Sequence, residues 1–164
     1  MTRILFAALI FATLTFPLSV KAENTVTYTD ELDPMTDERI LQVIMIYDGG
    51  GKLGSHAVSF RCFKGKPAMA ATSGLYLNIG TKIPVSYRFD KEQSQTEQFI
   101  WSGGQSTAIK FEAQDILDKT LTSNKFLVKI SDRALMEFNL VEAHEKLQNL
   151  DKECKTWDKK SVPE

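Results

Sequence analysis

Histidine is nearly absent from this chain of 164 residues: only His56 and His144 occur, and neither opens an H-E-x-x-H run. Zinc chemistry therefore has no framework in the sequence. A G-x-S-x-G segment is also missing, which removes the nucleophile elbow of a serine hydrolase. The one glycine-rich run, Asp48 to Gly54, lacks the GxxxxGK[ST] order of a phosphate loop and leads into an alternating segment instead of a helix. It reads as a hairpin turn. Nor does either sign of charge dominate, since 20 Lys plus Arg stand against 21 Asp plus Glu, for a net charge of −1. No basic patch for nucleic acid or anionic lipid follows from that balance. No metal or cofactor is expected, and no catalytic residue can be named.

Long apolar runs are missing too, except at the start. Met1 to Arg3 form a short basic opening, Ile4 to Leu18 are almost wholly apolar, and Val20-Lys21-Ala22 ends on a small residue. That order is the order of a secretory signal, and the apolar part is shorter than the roughly 20 residues that span a bilayer. Residues 1–22 are expected to be removed. The remaining domain, 23–164, has 142 residues and, having lost Arg3 and Lys21 but no acid, 18 basic against 21 acidic groups. No cysteine precedes Cys62, so no lipid anchor and no later membrane span are expected.

Cysteine is scarce, with only Cys62 and Cys154 present. An even number in an exported chain favours a disulfide over two separately buried thiols. Between and around these residues the pattern is that of strands. In Ile83 to Asp90, IPVSYRFD, period-two alternation places Ile83, Val85, Tyr87 and Phe89 on one face and Ser86, Arg88 and Asp90 on the other. Asn24 to Thr29 reads as an edge strand. Arg39 to Tyr47 is apolar on both parities except at Gln42, as in a central strand covered on both sides. Val58, Phe60 and Cys62 share one face of the next strand, Ala68 to Ala71 form a short one, and Leu75, Leu77 and Ile79 alternate in another. Lys91 to Glu97 is a polar connection, followed by short strands at Gln98 to Trp101 and Thr107 to Phe111.

From Glu112 the period changes to that of a helix, with Ala113, Ile116, Leu117 and Leu121 on one side. Two more strands follow, carrying Phe126, Val128 and Ile130, then Met136, Phe138 and Leu140. A second helix over about Val141 to Lys152 aligns Ala143, Leu147, Leu150 and Cys154. The expected fold is mainly β, of antiparallel sandwich-like sheets with two short helices and a disulfide staple. Asp30 to Glu38, with Pro34, is an acidic turn. It lacks the glycine and the closing bidentate glutamate of a calcium loop.

The order of these motifs carries a resemblance. Phe60-Arg61-Cys62, the VSYRFD run at Val85 to Asp90, Trp101-Ser102, the FLVKI strand, the Phe138 strand and the C-x-x-W at Cys154 to Trp157 follow one another as in a known family. With the DPMTD turn at Asp33 to Asp37, the chain resembles the periplasmic accessory proteins of bacterial type VI secretion, the VasI or TagO kind. The resemblance covers most of residues 33 to 157. It implies a non-catalytic periplasmic protein that acts as an accessory or adaptor of an envelope machine, with envelope proteins or secretion-system components as partners.

Within that frame the candidate partner-binding residues are Arg88, Asp90, Trp101, Ser102, Gly103 and Gly104. Arg88 and Asp90 stand two apart on one strand face, close enough either to pair with each other or to grip a polar partner together. Trp101 is either a core aromatic or, with Ser102-Gly103-Gly104, part of an exposed loop. The alternative reading is a binder or inhibitor of a cell-envelope enzyme or small ligand. A hydrolase lacks any base and nucleophile that can be paired from the sequence.

Overall fold

The computed structural model describes residues 24–36, 38–47, 56–74, 78–102, 106–130 and 134–157. The expected signal segment, the Asp48 to Gly54 turn and the Leu75 and Leu77 positions lie outside them. The protein is mainly β, as its alternating segments require. Among the described residues nine strands form in chain order: β1 (Asn24–Leu32), β2 (Arg39–Tyr47), β3 (His56–Phe63), β4 (Lys66–Thr72), β5 (Lys82–Phe89), β6 (Gln95–Ser102), β7 (Thr107–Lys110), β8 (Lys125–Ile130) and β9 (Ala134–Asn139). Helix α1 (Gln114–Thr122) precedes β8, and α2 (His144–Lys155) follows β9.

All nine strands join one sheet in the order β1-β2-β3-β4-β7-β6-β5-β8-β9, with every neighbouring pair antiparallel. The sandwich-like packing arises because this single sheet curls until its two ends meet. Tyr47 of β2 stacks edge-on against Phe138 of β9 with ring centroids 6.1 Å apart, and the Asn24 amide of β1 donates to the Glu137 carbonyl of β9 at 3.3 Å. Lys146 of α2 closes the same seam by donating to the Val26 carbonyl at 2.6 Å. The two edge strands are thereby covered where they approach each other, which removes part of the exposed backbone that edge strands present.

The inner parity of the strands builds the core. Leu41, Val43 and Met45 of β2, Val58, Phe60 and Cys62 of β3, Ile83 to Phe89 in alternation on β5, and Phe99 and Trp101 of β6 are all buried. Each large apolar side chain so enclosed contributes about 1.5 to 3 kcal/mol. The helices pack on this concave side, because Ile116 and Leu117 of α1 and Leu147, Leu150 and Cys154 of α2 need cover. The disulfide between Cys62 and Cys154 fixes α2 to β3, with the two Cα atoms 5.4 Å apart across a sequence separation of 92. A second anchor is polar. Arg39 of β2 donates two hydrogen bonds to Asp30 of β1, at 2.6 and 2.7 Å, and a third to Glu153 of α2 at 3.0 Å. Its guanidinium carbon also lies 5.6 Å from the Trp157 ring centroid.

The structure differs from the sequence reading in several places: α1 begins at Gln114 and not at Glu112, and α2 spans His144–Lys155 in place of Val141 to Lys152. β6 begins at Gln95, so part of the polar connection is strand; Tyr87 pairs with Gln95 across it and draws those residues into the sheet. β2 is an interior strand next to the edge strand β1, and Ile40, Ile44 and Ile46 on its outer side are only half-buried. Ile79 sits 80 % exposed in a turn that Gly80 completes at φ +81°, a conformation glycine adopts without strain. Of the expected Asp30 to Glu38 turn, Asp30 to Leu32 belong to β1, and the chain turns only from Asp33, whose carboxylate accepts the N–H groups of Met35 at 2.8 Å and Thr36 at 3.1 Å.

Candidate functional site

Arg88 faces outward because the alternate positions of β5 are taken up by the core. Opposite it on β8 stands Leu127, and Ser86 lies opposite Lys129. On β9, Leu135 lies across from Lys129 and Glu137 across from Leu127. These outward residues form a shallow groove of about 250 Å³ lined by Ser86, Tyr87, Arg88, Ser94, Leu127, Lys129 and Leu135. Leu135 is 59 % exposed, and Arg88 has no carboxylate partner among the described residues. Arg88 and two leucines therefore share one outer face with Lys129 and Glu137, the last paired with Lys125. The Arg88 guanidinium beside aliphatic surface suits an acidic, partly apolar protein surface.

The pairing of Arg88 with Asp90 does not form. Asp90 leaves the strand with φ +44°, in the left-handed region, so it no longer continues the outer face of β5. Its carboxylate turns to the start of β8 and accepts the N–H groups of Lys125 at 2.9 Å and Asn124 at 3.1 Å. Asp90 is a backbone clasp, and Arg88 is left for other partners.

For Trp101 the core alternative holds, and its candidacy as a partner-binding residue falls. Sharing the inward parity of Phe99, it is 1 % exposed and offers no ring surface to a partner. Its backbone carbonyl accepts the Gly80 N–H and its N–H donates to Thr81, both at 2.8 Å. Ser102 is half-buried and donates to the Thr107 carbonyl at 3.3 Å. Gly103 and Gly104 lie outside the described residues.

A titratable cluster that the sequence reading missed sits where β5, β6 and β7 meet. The Tyr87 hydroxyl donates to one oxygen of Glu97 and the Lys110 ammonium donates to the other. Burial, then the bond to Glu97, raises the Tyr87 phenol above its ordinary range. For Glu97 burial acts upward, but the bonds from Lys110 and Tyr87 outweigh it, and the carboxyl lies below its ordinary value. Both carboxylate oxygens are occupied, which makes this a clasp between strands and leaves no free base. Carrying the alternation of Phe99 and Trp101 back one step reaches Glu97, a signal present in the sequence.

The two histidines are apart in function. His144 bonds through Nε2 to the Ser123 carbonyl at 2.8 Å, which ties the start of α2 to the turn before β8. His56 begins β3, and its buried Nδ1 has no hydrogen-bond partner among the described residues. Among those residues no three of His, Cys, Asp and Glu converge as metal ligands, and no helix is long and apolar enough to cross a membrane.

No protein-family model, curated protein or solved structure matches this chain.

Proposed function

We propose that this is an exported, non-catalytic accessory protein that binds an envelope protein through the outer face of β5, β8 and β9. The observation that carries the reading is the groove beside Arg88, where an exposed guanidinium with no carboxylate partner among the described residues stands next to Leu127 and the largely exposed Leu135. A cation flanked by aliphatic surface is a common anchor of protein interfaces, in which arginine is enriched. The disulfide supports an oxidising compartment. With the basic and apolar N-terminal run, that fits the periplasm. The motif order discussed above favours a secretion machine as the source of the partner.

Affinity capture from cross-linked envelopes of the native host, read by mass spectrometry, tests the reading. Enrichment of an envelope-machine component by the wild-type protein and its loss with folded Arg88→Glu is the expected result. Retention of the same component by Arg88→Glu and by Leu135→Asp would remove the proposed surface. Selective recovery of a cell-wall enzyme that the protein inhibits would replace an adaptor with an inhibitor.

A further inference from the structure

A second surface, sharing no residue with the Arg88 groove, lies where the β3–β4 hairpin meets the end of β7. Phe63 and Phe111 are each 50 % exposed, with ring centroids 5.9 Å apart at 58°. Together with Lys64, Lys66, Ala68 and Glu112 they line a cavity of about 370 Å³, at the small end of ligand-sized pockets, which run from roughly 300 to 1,000 Å³.

The chain holds these rings on tight turns. Phe63 pairs with Lys66, so Lys64-Gly65 is a two-residue hairpin loop with φ +50° and +76°. Positive φ at both central positions matches the twist of the flanking strands, but places a lysine where Asn, Asp or Gly is usual. Glu112, directly after Phe111, is also held at φ +56°. On the near side, the Ala113 N–H donates to the Pro67 carbonyl at 2.8 Å and locks the two turns together.

Charge selects the occupant. Lys66 is neutralised by the carboxylate of Glu112. Lys64 has no carboxylate partner among the described residues, and its ammonium lies 5.6 Å from the Phe63 ring centroid. The cavity thus combines two aromatic walls with one uncompensated positive charge, and the Lys66–Glu112 pair at its rim offers both a donor and an acceptor. A peptide backbone uses both, whereas an alkyl chain uses neither.

We infer that the Phe63–Phe111 cavity is a peptide-docking site for a segment that carries a large apolar side chain next to a carboxylate. The apolar side chain packs on the exposed surface of the touching rings, which line the cavity together, and the carboxylate meets Lys64. This goes beyond the Arg88 reading and does not depend on it.

The test is an NMR titration of the ¹⁵N-labelled mature protein with acetyl-Ala-Phe-Asp-Ala-amide, against the Asn-for-Asp and Ser-for-Phe peptides. Saturable shifts at the amides of Phe63, Lys64 and Glu112 are expected, weakened about twofold to fivefold for the Asn peptide, as loss of one exposed ion pair implies. Lys64→Gln should erase that difference, and Phe111→Ser, an exposed substitution, should abolish the shifts while the rest of the spectrum stays in place. Shifts absent from these amides, or equal for the Asp and Asn peptides, overturn the inference. So does tighter saturation of the same amides by decanoate, which assigns the cavity to a fatty acid. A concentration-dependent dimer that Phe111→Ser dissolves likewise overturns it, by giving the cavity to a second copy of this chain.

Discussion

The carboxylate of Asp90 accepts the backbone N–H of Lys125 at 2.9 Å, and not the guanidinium of Arg88 two residues before it. The φ of +44° at Asp90 makes the difference, by turning the residue off the strand just where the outer face would have continued. Arg88 is therefore an exposed cation, and Asp90 is the residue that joins the end of β5 to the start of β8.

Asp90→Ala is expected to destabilise the protein by about 1 to 2 kcal/mol, since it removes acceptors of two backbone N–H groups and leaves a Cβ in the left-handed region. Asp90→Asn keeps an acceptor and tolerates that conformation, so it should cost less. Arg88→Ala should stay within about 0.5 kcal/mol of wild type, as surface substitutions do. Urea unfolding measures all three; a large loss at Arg88 with none at Asp90 would reverse the assignment.

Cys62 and Cys154 close a long loop, 92 residues apart in sequence. The chain-entropy model gives such a bridge roughly 4 to 5 kcal/mol, so reduction or Cys154→Ala should lower Tm by on the order of 10 °C. Melting curves with and without reductant check this. Coincident curves, or two titratable thiols in the folded protein, would contradict it.

The Arg39 hub ties the same helix by different means. Arg39→Ala removes the bonds to Asp30 and Glu153 and the contact over Trp157, with an expected loss of about 1 to 3 kcal/mol. Arg39→Lys should recover only part, because an ammonium cannot reproduce the two parallel bonds to Asp30. Combining Arg39→Ala with Cys154→Ala tests whether the two anchors are coupled: both hold α2, so the double loss should differ from the sum of the single ones.

The Tyr87–Glu97–Lys110 clasp gives stability a pH dependence on both sides. Tyr87 has its folded value raised above the ordinary 10.0, so its contribution is complete below pH 10 and is lost as the pH rises beyond that. Glu97 has its folded value lowered beneath 4.5, so its contribution is present above pH 4.5 and falls as acid protonates the folded carboxylate. Tyr87→Phe should flatten the alkaline limb of a stability-versus-pH curve, and Glu97→Gln the acid limb. Unchanged slopes in either variant would show that the clasp does not titrate with folding.

Much of this fold was legible because one side of the sheet is fully enclosed. The alternation in Ile83 to Phe89 and in Phe126 to Ile130, and the helical stripe of Ala143, Leu147, Leu150 and Cys154, correspond to buried positions throughout. The order of the strands was not legible, since β4 pairs with β7 and β5 with β8 through contacts that no local pattern encodes. Polar residues with distant partners were misread for the same reason. Glu97 looked like part of a solvated connection because its partners Tyr87 and Lys110 are brought to it by the sheet. Trp101 stands beside a glycine-rich turn, which left both burial and exposure open, and its parity with Phe99 decides its burial. The exposed pair Phe63 and Phe111 passed unnoticed, being 48 residues apart and both at the ends of strands.

The most direct measurement of the proposed function places a photo-crosslinking amino acid at position 135, beside Arg88 in the outer groove, in the native host. The account predicts one dominant adduct with an envelope protein, absent when the crosslinker stands instead at position 118 on α1 and lost when Arg88→Ala is added to the position-135 protein. No adduct at position 135, or one that Arg88→Ala leaves unchanged, would contradict it.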